Sequence, residues 1–532
     1  MANATKHSSQ GKLKIRPWAI PLGLTCALLI SQLGNAQTNY STFELERENN
    51  WDQLIAEDLN GDQLKDLVVS NYQPGVGREL LIYEQQTDGS FNSTAKRIEI
   101  KSEIISVGFA DLRPEPGKEL VLFANNGVFS LSTAMEGYGG NIRQLLEWDL
   151  IATMPDLQQV NFIENLEDIN GDGLVDFLLP GDDVYGYFEG RGAEQFELVS
   201  QFQSTNNVLN DILRNRGETD FNGNISINAE QGVQLEFSAE TPSPYRGFVE
   251  QWLQDENNSR SLFRSDNWMP SAILAQLDQD ELKDISYLNV GDDGLGQLNI
   301  HYQQDSGFTV EANWSGSLDT RGSLQLVDID VDGVTDLLHM REDSNEWTAR
   351  FYLNKDGHFT LDQPDQIMRF SGYDVSLGFL KINRDQGPVL SVNYYTIPVV
   401  DAIRNASINR SQLLYAAATG DSENTSQIFN RRPDSQLEES FSADNVRGLS
   451  EQMSLQYDVD GDGVKDALYI TQNGTLAAKR IDSSLEISDE AFWEYISPRS
   501  VYEFEVLQLN NDDLPDLILR HGVSSTILVA RP

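Results

Sequence analysis

The sequence of 532 residues has a single cysteine, Cys26, and few basic residues for its length. One cysteine excludes a disulfide framework, a thiolate metal cluster and a cysteine nucleophile. The chain has 38 Lys and Arg against 83 Asp and Glu, which gives a formal net charge of -45 at pH 7. Nucleic acid is excluded as a partner because a phosphate backbone needs a cationic surface. The 40 Gly, 17 Pro and 39% hydrophobic residues are typical of a turn-rich globular protein.

The first 36 residues differ from the rest because they carry basic residues and no acidic ones. An apolar run from Trp18 to Leu33 follows the basic residues and ends before Gly34-Asn35-Ala36, a pattern suited to signal peptidase. We therefore predict a secretory signal peptide over residues 1–36, cleaved after Ala36. An uncleaved anchor is the alternative, but an apolar run of about sixteen residues with Pro21 is short for a membrane span, which needs roughly 20.

Removal of residues 1–36 takes away four of the 38 basic residues, so 34 face 83 acidic ones and the net charge becomes -49. The predicted mature chain has no cysteine and no later apolar stretch long enough to cross a bilayer. We expect a protein without a transmembrane anchor that is periplasmic or secreted.

A nine-residue acidic segment recurs along the remaining chain. It is complete at 58–66, 168–176, 328–336 and 458–466, begins with Gln at 276–284 and 508–516, and is degenerate near 111, 220 and 381. The starting positions lie 50 to 57 residues apart, except for one step of 77 between 381 and 458. A period of this length is the signature of a repeat architecture.

Each acidic segment sits between two short apolar runs, such as Leu67-Val68-Val69 after the first copy. Short runs of branched residues bounded by Gly, Asn and Asp are typical of strands. About thirty residues after an acidic segment comes a turn signal, for example Asp88-Gly89 or Asp356-Gly357. The resulting unit is strand, acidic loop, strand, connection, strand, hairpin turn and strand, which predicts a four-stranded antiparallel propeller blade.

We predict an all-β fold, a β-propeller of about eight blades, with seven to nine as the range. Nine repeat marks exceed the usual four to eight blades, so one weak mark, at 220 or 381, is expected to lie in an insertion. The last unit lacks a fourth strand, and residues 42–47 are an unassigned strand that could complete it. Pairing the two chain ends would close the ring, whereas an open solenoid is the alternative.

A single propeller is predicted over residues 37–532. Its least regular parts are two polar segments near 201–270 and 390–447, which we interpret as insertions on the scaffold.

The acidic loops place oxygen ligands at positions 1, 3, 5 and 9, with a backbone carbonyl at position 7. Carboxylates so close together repel one another without a cation. Calcium accepts six to eight oxygen ligands, whereas magnesium demands stricter octahedral geometry. An EF-hand is excluded because position 12 holds Val69, Leu179, His339 or Tyr469 instead of Glu. A solvated Asx-rich turn without metal is the alternative for a single loop.

We predict about four Ca²⁺ sites, and up to six if the two loops that begin with Gln also bind. The predicted ligands are Asp58, Asn60, Asp62, Leu64 and Asp66; Asp168, Asn170, Asp172, Leu174 and Asp176; Asp328, Asp330, Asp332, Val334 and Asp336; and Asp458, Asp460, Asp462, Val464 and Asp466. The degenerate loops, with Arg113 or Lys381 at ligand positions, are not expected to bind calcium.

The Asp-x-Asn-Gly-Asp-Gly-x-x-Asp-Leu pattern with its downstream Asp-Gly-x-Phe turn resembles the FG-GAP/VCBS repeats of integrin α-subunit propellers and of many secreted bacterial proteins. The resemblance covers nearly all of the predicted mature chain, and 168–176 and 458–466 are the best matches. It implies a calcium-binding propeller with ligands at the positions named above. Similar propellers serve adhesion, glycan binding and, in some polysaccharide lyases, catalysis, so the resemblance does not decide among these activities.

No common catalytic motif accompanies the repeat: His-Glu-x-x-His, Gly-x-Ser-x-Gly and a Walker loop are all missing. The histidines of the predicted mature chain, His301, His339, His358 and His521, are scattered and expected to be structural or on the surface. Five tryptophans are expected to pack in blade cores or to lie scattered on the surface rather than to stack on sugars: Trp252, Trp268, Trp314, Trp347 and Trp493.

The sequence favours a noncatalytic recognition or adhesion module for an extracytoplasmic protein or glycan. The alternatives are a lyase-like enzyme acting on polysaccharide and a periplasmic assembly scaffold. A lyase would need a convergent cluster of Arg, Lys, His or Tyr.

Overall fold

A computed structural model describes residues 39–46, 54–133, 141–150, 158–163, 166–181, 184–203, 223–228, 232–237, 272–280, 282–290, 295–304, 307–397, 407–418, 427–442, 448–449, 451–512 and 514–531. All regular secondary structure in these residues is β-strand. The signal-peptide prediction for residues 1–36, the repeat mark at Asp220, and Trp252 and Trp268 lie outside the described residues. The described part of the chain contains no helix that could span a membrane.

The strands form eight sheets that follow one another along the chain as propeller blades. Blade 1 comprises β2 (Leu54–Glu57), β3 (Asp66–Gln73), β4 (Gly77–Tyr83) and β5 (Lys96–Ile100); blade 2, β6 (Ile104–Ala110), β7 (Glu119–Ala124), β8 (Gly127–Leu131) and β9 (Arg143–Leu146); blade 3, β11 (Phe177–Pro180), β12 (Val184–Gly190) and β13 (Phe196–Gln203); and blade 4, β16 (Ile273–Ala275), β17 (Asp284–Val290), β18 (Leu295–His301) and β19 (Trp314–Asp319).

The second half of the chain repeats this order. Blade 5 comprises β20 (Ser323–Val327), β21 (Asp336–Asp343), β22 (Glu346–Tyr352) and β23 (Gln366–Ser371); blade 6, β24 (Tyr373–Leu380), β25 (Val389–Thr396), β26 (Ser407–Ala416) and β27 (Ser435–Ser442); blade 7, β28 (Ser454–Tyr457), β29 (Asp466–Ile470), β30 (Leu476–Lys479) and β31 (Trp493–Tyr495); and blade 8, β32 (Glu503–Leu507), β33 (Asp516–Arg520), β34 (Ser524–Arg531) and β1 (Asn39–Glu46).

These sheets confirm the predicted all-β propeller with four-stranded antiparallel blades and fix the number of blades at eight. In blade 3 the segment ahead of the acidic loop is β10 (Asn161–Phe162), which pairs in parallel with β6 of blade 2. The repeat mark at 381 lies between β24 and β25 and belongs to blade 6. The strands β14 (Gly223–Asn228) and β15 (Gly232–Phe237), next to the mark at 220, form a separate two-stranded sheet.

Ring closure follows the prediction from the two chain ends. Strand β1 pairs antiparallel with β34 over eight residues, from Asn39 opposite Arg531 to Glu46 opposite Ser524. The N-terminal strand is therefore the outer strand of the C-terminal blade, and the inner strands β33 and β34 have partners on both sides.

The core lies between the faces of neighbouring blades. Strand β7 is apolar throughout because both of its faces are buried. Leu120 and Leu122 pack against blade 1, whereas Val121 and Phe123 pack against blade 3. One buried cluster of this kind occupies each of the eight blade interfaces, including the interface between blades 8 and 1. The full circle of clusters holds the acidic loops at fixed positions around the ring.

The antiparallel order of the strands also determines the end of the sheets at which each connecting loop lies. Loops between the first and second strands of a blade, and between the third and fourth, lie at one end of the sheets, which we call the acidic end. The hairpins between second and third strands and the links between blades lie at the opposite end.

Candidate metal centres

The acidic loops connect the first and second strands of their blades, as predicted, except in blade 3, where loop 168–176 joins β10 to β11. Within a loop, the carboxylate at position 1 accepts hydrogen bonds from backbone amides further along. Asp458 accepts from Gly461 at 2.7 Å and from Gly463 at 2.6 Å, and Asp168 and Asp58 make the corresponding bonds. The glycines Gly461 and Gly463 have positive φ, at 75° and 88°, which the tight bend requires.

The carboxylate at position 5 fixes the second half of the loop. Its Oδ1 accepts the amide of the residue at position 7, at 2.8 Å for Asp332 and Val334 and at 2.9 Å for Asp462 and Val464. These bonds leave the other carboxylate oxygen of each aspartate for a further ligand. Coordination of calcium by the backbone carbonyl of the residue at position 7 remains a prediction from the sequence.

Two loops bring three carboxylates together. Ligand oxygens of Asp328, Asp330 and Asp332 lie within 4.8 Å of one another, and so do those of the corresponding Asp458, Asp460 and Asp462. At 58–66 and 168–176 an asparagine stands at position 3, so those loops offer an amide oxygen with two carboxylates. The structure therefore distinguishes two fully acidic clusters among the four complete loops.

The chemistry of both clusters fits a hard cation. The Oδ1 atoms of Asp330 and Asp460 are buried and have no hydrogen-bond partner in the described residues. Burial, together with the negative charges of Asp332 and Asp328, raises the pKa of Asp330 to about 6. A cation bound among these oxygens would relieve the repulsion and supply the missing partner.

The acid at position 9 has a structural role that the repeat pattern did not reveal. Asp336 is 2% exposed and accepts the amides of Ile329 at 2.9 Å and Asn354 at 2.7 Å, which ties the loop to the third strand. Burial raises its pKa to about 8. The two clusters of three carboxylates do not include position 9. Degenerate loop 111–119 keeps an acid here, Glu119, which accepts the amides of Leu112 and Arg113.

An internal guanidinium takes the place of a cation site in blade 2. Arg113, at position 3 of the degenerate loop, has a fully buried side chain. It donates to Glu194 of blade 3 at 2.7 Å, to Ser130 at 2.6 Å and to the Asn141 side chain at 2.5 Å. Although burial raises it, hydrogen bonds from Ser130, Arg113 and Arg143 hold the pKa of Glu194 below its usual value. A guanidinium thus occupies a ligand position of this loop, and the absence of calcium from it remains a prediction.

Backbone hydrogen bonds join the loops of neighbouring blades. The amide at position 8 donates to a carbonyl at position 1 or 2 of the preceding loop, for example Lys65 to Leu509 at 3.0 Å and Thr335 to Gln276 at 2.7 Å. Lys381 adds a side-chain bond to the carbonyl of Val331, at 2.8 Å. A cation in one loop would therefore also stiffen the loops beside it.

His301 and His339 are buried and His358 is exposed, in agreement with the prediction that the histidines are structural or on the surface. His301 is fully buried, donates from Nδ1 to the Thr309 carbonyl at 2.9 Å, and contacts the Tyr287 hydroxyl through Nε2 at 3.3 Å. His339 is 3% exposed and donates to the Arg321 carbonyl. Of the described tryptophans, Trp493 is 8% exposed and packs in the cluster between blades 7 and 8.

We expect His301 to make stability depend on pH. Burial lowers its pKa to about 4, whereas an unfolded histidine titrates near 6.5. Its stabilising contribution is complete above pH 6.5 and declines as the pH falls towards 4. Between pH 6.5 and 5, the advantage of the wild type over His301→Asn should shrink by about 2 kcal/mol. Urea unfolding of both proteins at each pH measures this, and a constant difference would contradict it.

No protein-family model matches the chain, and no curated protein matches it. Among solved structures, the chain is similar to the crystal structure of the exotype rhamnogalacturonan lyase YesX, with 12% sequence identity and a TM-score of 0.31. The match covers 93% of this chain and 74% of that one. The activity named for that structure is not transferred to this chain. Membership of the FG-GAP/VCBS family stays a prediction from the sequence.

Proposed function

We propose that the chain is a calcium-binding β-propeller that acts outside the cytoplasm as a noncatalytic recognition or adhesion module for a protein or glycan. The buried oxygens on Asp330 and Asp460 that have no partner among the described residues, each within a cluster of three aspartates, carry the calcium part of this proposal. The predicted signal peptide at residues 1–36 supports the location.

Calcium would be a structural cation in this protein. Asp328, Asp330 and Asp332 would hold one ion and the matching aspartates of blade 7 another, with the loops at 58–66 and 168–176 as further sites. The loop at 458–466 differs in one respect, because Arg480 donates to Oδ2 of Asp460. Calcium there would meet an adjacent guanidinium, so we expect weaker binding than at 328–336.

A recognition surface is available at the opposite end of the blades. Large apolar side chains are exposed in its hairpins and links: Val76, Leu295, Tyr373, Ile397, Ile496, Tyr502 and Val523. Ile496 and Tyr502 lie in the link between blades 7 and 8, and Val523 lies in the adjacent hairpin of blade 8. We therefore place the proposed recognition surface at this end of the blades.

A lyase-like enzyme acting on polysaccharide is the second candidate. Arg321, in the link between blades 4 and 5, and Arg341 and Arg350 of blade 5 lie near His339, which is the kind of basic grouping that such an enzyme needs. Asp319 binds Arg321 at 2.7 Å and lies 3.7 Å from Arg341, and His339 is buried. These contacts favour a structural ion-pair network. Formation of unsaturated uronate from acidic polysaccharides would support the enzyme instead.

We expect calcium to raise the melting temperature and a chelator to lower it, because a ligand of the native state stabilises it by mass action. At a free calcium concentration of 100 times Kd, each site contributes about 2.7 kcal/mol. The double variant Asp332→Asn, Asp462→Asn keeps the turn-forming oxygens but loses two carboxylate charges. It should lose about half of the calcium-dependent shift in differential scanning fluorimetry, because the sites at 58–66 and 168–176 remain.

Asp362→Asn is the matched control, because Asp362 is an exposed aspartate of blade 5 outside the loops. This variant should respond to calcium as the wild type does. A wild type whose melting is indifferent to both calcium and chelator would refute the calcium proposal.

A further inference from the structure

A cavity of about 370 Å³ lies at the acidic end of blade 7, between the acidic loop 458–466 and the turn that joins β30 to β31. Its volume is within the range of about 300 to 1,000 Å³ of pockets for small molecules. The charged side chains that line it are Asp462, Asp466, Arg480, Asp482, Glu486 and Asp489. Val464, Ile481 and Ile487 supply apolar wall. The cavity therefore combines an acidic lining with room for an organic molecule.

Asp466, at position 9 of the loop, is the buried acid of this wall. The residue is 2% exposed, and among the described residues it accepts one hydrogen bond, from the amide of Val459 to Oδ2 at 2.8 Å. Its Oδ1 accepts none there and keeps accessible surface on the cavity wall. A carboxylate oxygen so placed is costly to bury unless a ligand donates to it.

The corresponding aspartates of the other blades do not have a free oxygen. In blades 1, 3, 4, 5 and 8, Oδ1 accepts a backbone amide from the end of the third strand or just beyond it. The donors are Gln85, Gly190, Gln303, Asn354 and Ala530, at 2.6 to 2.9 Å. Ile481 holds this place in blade 7, because it bridges to Ile487 as Gln85 bridges to Phe91. Its amide does not donate to Asp466 in the described part of the chain, so the cavity replaces the internal donor.

The charges of the lining favour a cationic ligand. Arg480, its one basic residue, already donates to Asp460, and its guanidinium lies 4.8 Å from the centre of the Phe492 ring. Glu486 and Asp489 are exposed, and neither forms an ion pair within the described ranges. Carboxylates without a balancing cation attract positive charge and disfavour an anion.

An organic cation suits the cavity better than a metal ion does. Among the described residues, three acidic ligand atoms lie within 4.8 Å of one another only at 328–332 and 458–462, so the cavity carboxylates are too widely spaced to share one ion. An ammonium group donates up to three hydrogen bonds, and one of them can reach Asp466. Its methylene chain would pack on Ile481 and Ile487.

We propose that this cavity binds an alkylammonium group, with Asp466 as the buried acceptor. A lysine side chain of a protein partner and a free polyamine both carry such a group. The site does not depend on the calcium-binding and recognition functions proposed above, because the cluster of Asp458, Asp460 and Asp462 does not include Asp466.

Isothermal titration calorimetry of the full chain at about 0.15 M salt, where surface charges are screened, tests the proposal. Cadaverine should bind with a Kd of about 1 mM, and tetramethylammonium, which has no N–H donor, should bind at least about tenfold more weakly. Lysine capped at both backbone ends distinguishes the sources. Capped lysine that binds within about tenfold of cadaverine indicates a protein partner, and weaker binding indicates a polyamine. Cadaverine binding should persist in excess calcium.

Two variants test the site itself. Asp466→Asn should weaken cadaverine binding by at least about tenfold, because the buried negative charge is lost. Glu486→Lys, at the exposed rim, places a competing ammonium group in the cavity and should weaken binding as much. It decides the matter if Asp466→Asn does not fold. Asp362→Lys makes the same change of charge at an exposed position of blade 5 and should bind as the wild type does.

The proposal is overturned if neither cadaverine nor capped lysine binds the folded wild type, or if tetramethylammonium binds as tightly as cadaverine. Normal binding by Glu486→Lys or by a folded Asp466→Asn also overturns it. So does loss of binding in excess calcium, since Asp466 would then be a calcium ligand. Calcium-dependent melting of the same samples shows whether the calcium proposal survives such a failure.

Discussion

Replacement of Arg113 with methionine should lower the free energy of unfolding by about 3 to 5 kcal/mol. The guanidinium is fully buried between blades 2 and 3 and donates to Glu194, Ser130 and Asn141. Its removal leaves Glu194, whose side chain is 8% exposed, with Arg143 as its one cationic partner among the described residues. A buried charge that loses its main partner is among the most destabilising changes in a protein. Urea unfolding followed by tryptophan fluorescence measures the loss.

Arg143→Met is the matched control, because Arg143 binds the same carboxylate from a position that is 53% exposed. It should cost no more than about 1 kcal/mol. The double variant Arg113→Met, Glu194→Met should recover much of the loss, since no unpaired charge remains. If the losses in the single variants Arg113→Met and Glu194→Met simply added in the double variant, the buried network would be contradicted. None of these variants should change the response to chelator.

Deletion of residues 38–46 should abolish cooperative unfolding of the ring. This segment holds β1, whose loss exposes β34 as an unpaired edge and removes Leu45 from the cluster between blades 8 and 1. The side chain of Leu45 is 2% exposed, so Leu45→Ala alone should cost about 2 to 5 kcal/mol. An exposed edge of eight residues is also a site for pairing with another chain. Calorimetry and light scattering should show loss of the melting transition and aggregation.

Adding the missing strand back as a peptide shows whether the truncated chain is unstable because the ring is not closed or simply because residues have been removed. A synthetic peptide of residues 38–46 added to the truncated chain should restore the transition, whereas a scrambled peptide should not. Glu46→Ala, on the exposed side of the same strand, should change stability by no more than about 0.5 kcal/mol. A truncated chain that melts as the full chain does would show that β1 does not close the ring.

The propeller was predictable because its signals are local. The acidic loop and the apolar run after it lie in one short segment. The Asp356-Gly357 pair predicts a turn, and both residues adopt positive φ, at 52° and 79°. Ring closure followed from a missing strand at one end of the chain and a surplus strand at the other. The weak repeat at 381 was harder to place, because its blade is recognised by the strands around it rather than by its loop.

The contacts that were not predicted depend on residues far apart in the chain. Arg113 meets Glu194 across a blade interface, 81 residues away. The repeat pattern shows an acid at position 9, but it does not show that both carboxylate oxygens of Asp336 accept hydrogen bonds from backbone amides. Gln85, Gln303 and Asn354 occupy equivalent positions, yet only the structure distinguishes Gln85, whose side-chain amide has no partner among the described residues, from the other two.

Direct counting of bound calcium shows whether the acidic loops are cation sites. Equilibrium dialysis of the chelator-stripped chain against calcium, with metal content measured by mass spectrometry, should give about four ions per chain. Asp332→Asn, Asp462→Asn should bind about two fewer, and Asp362→Asn should match the wild type. No bound calcium in the folded wild type, or an unchanged count in the double variant, would contradict the account.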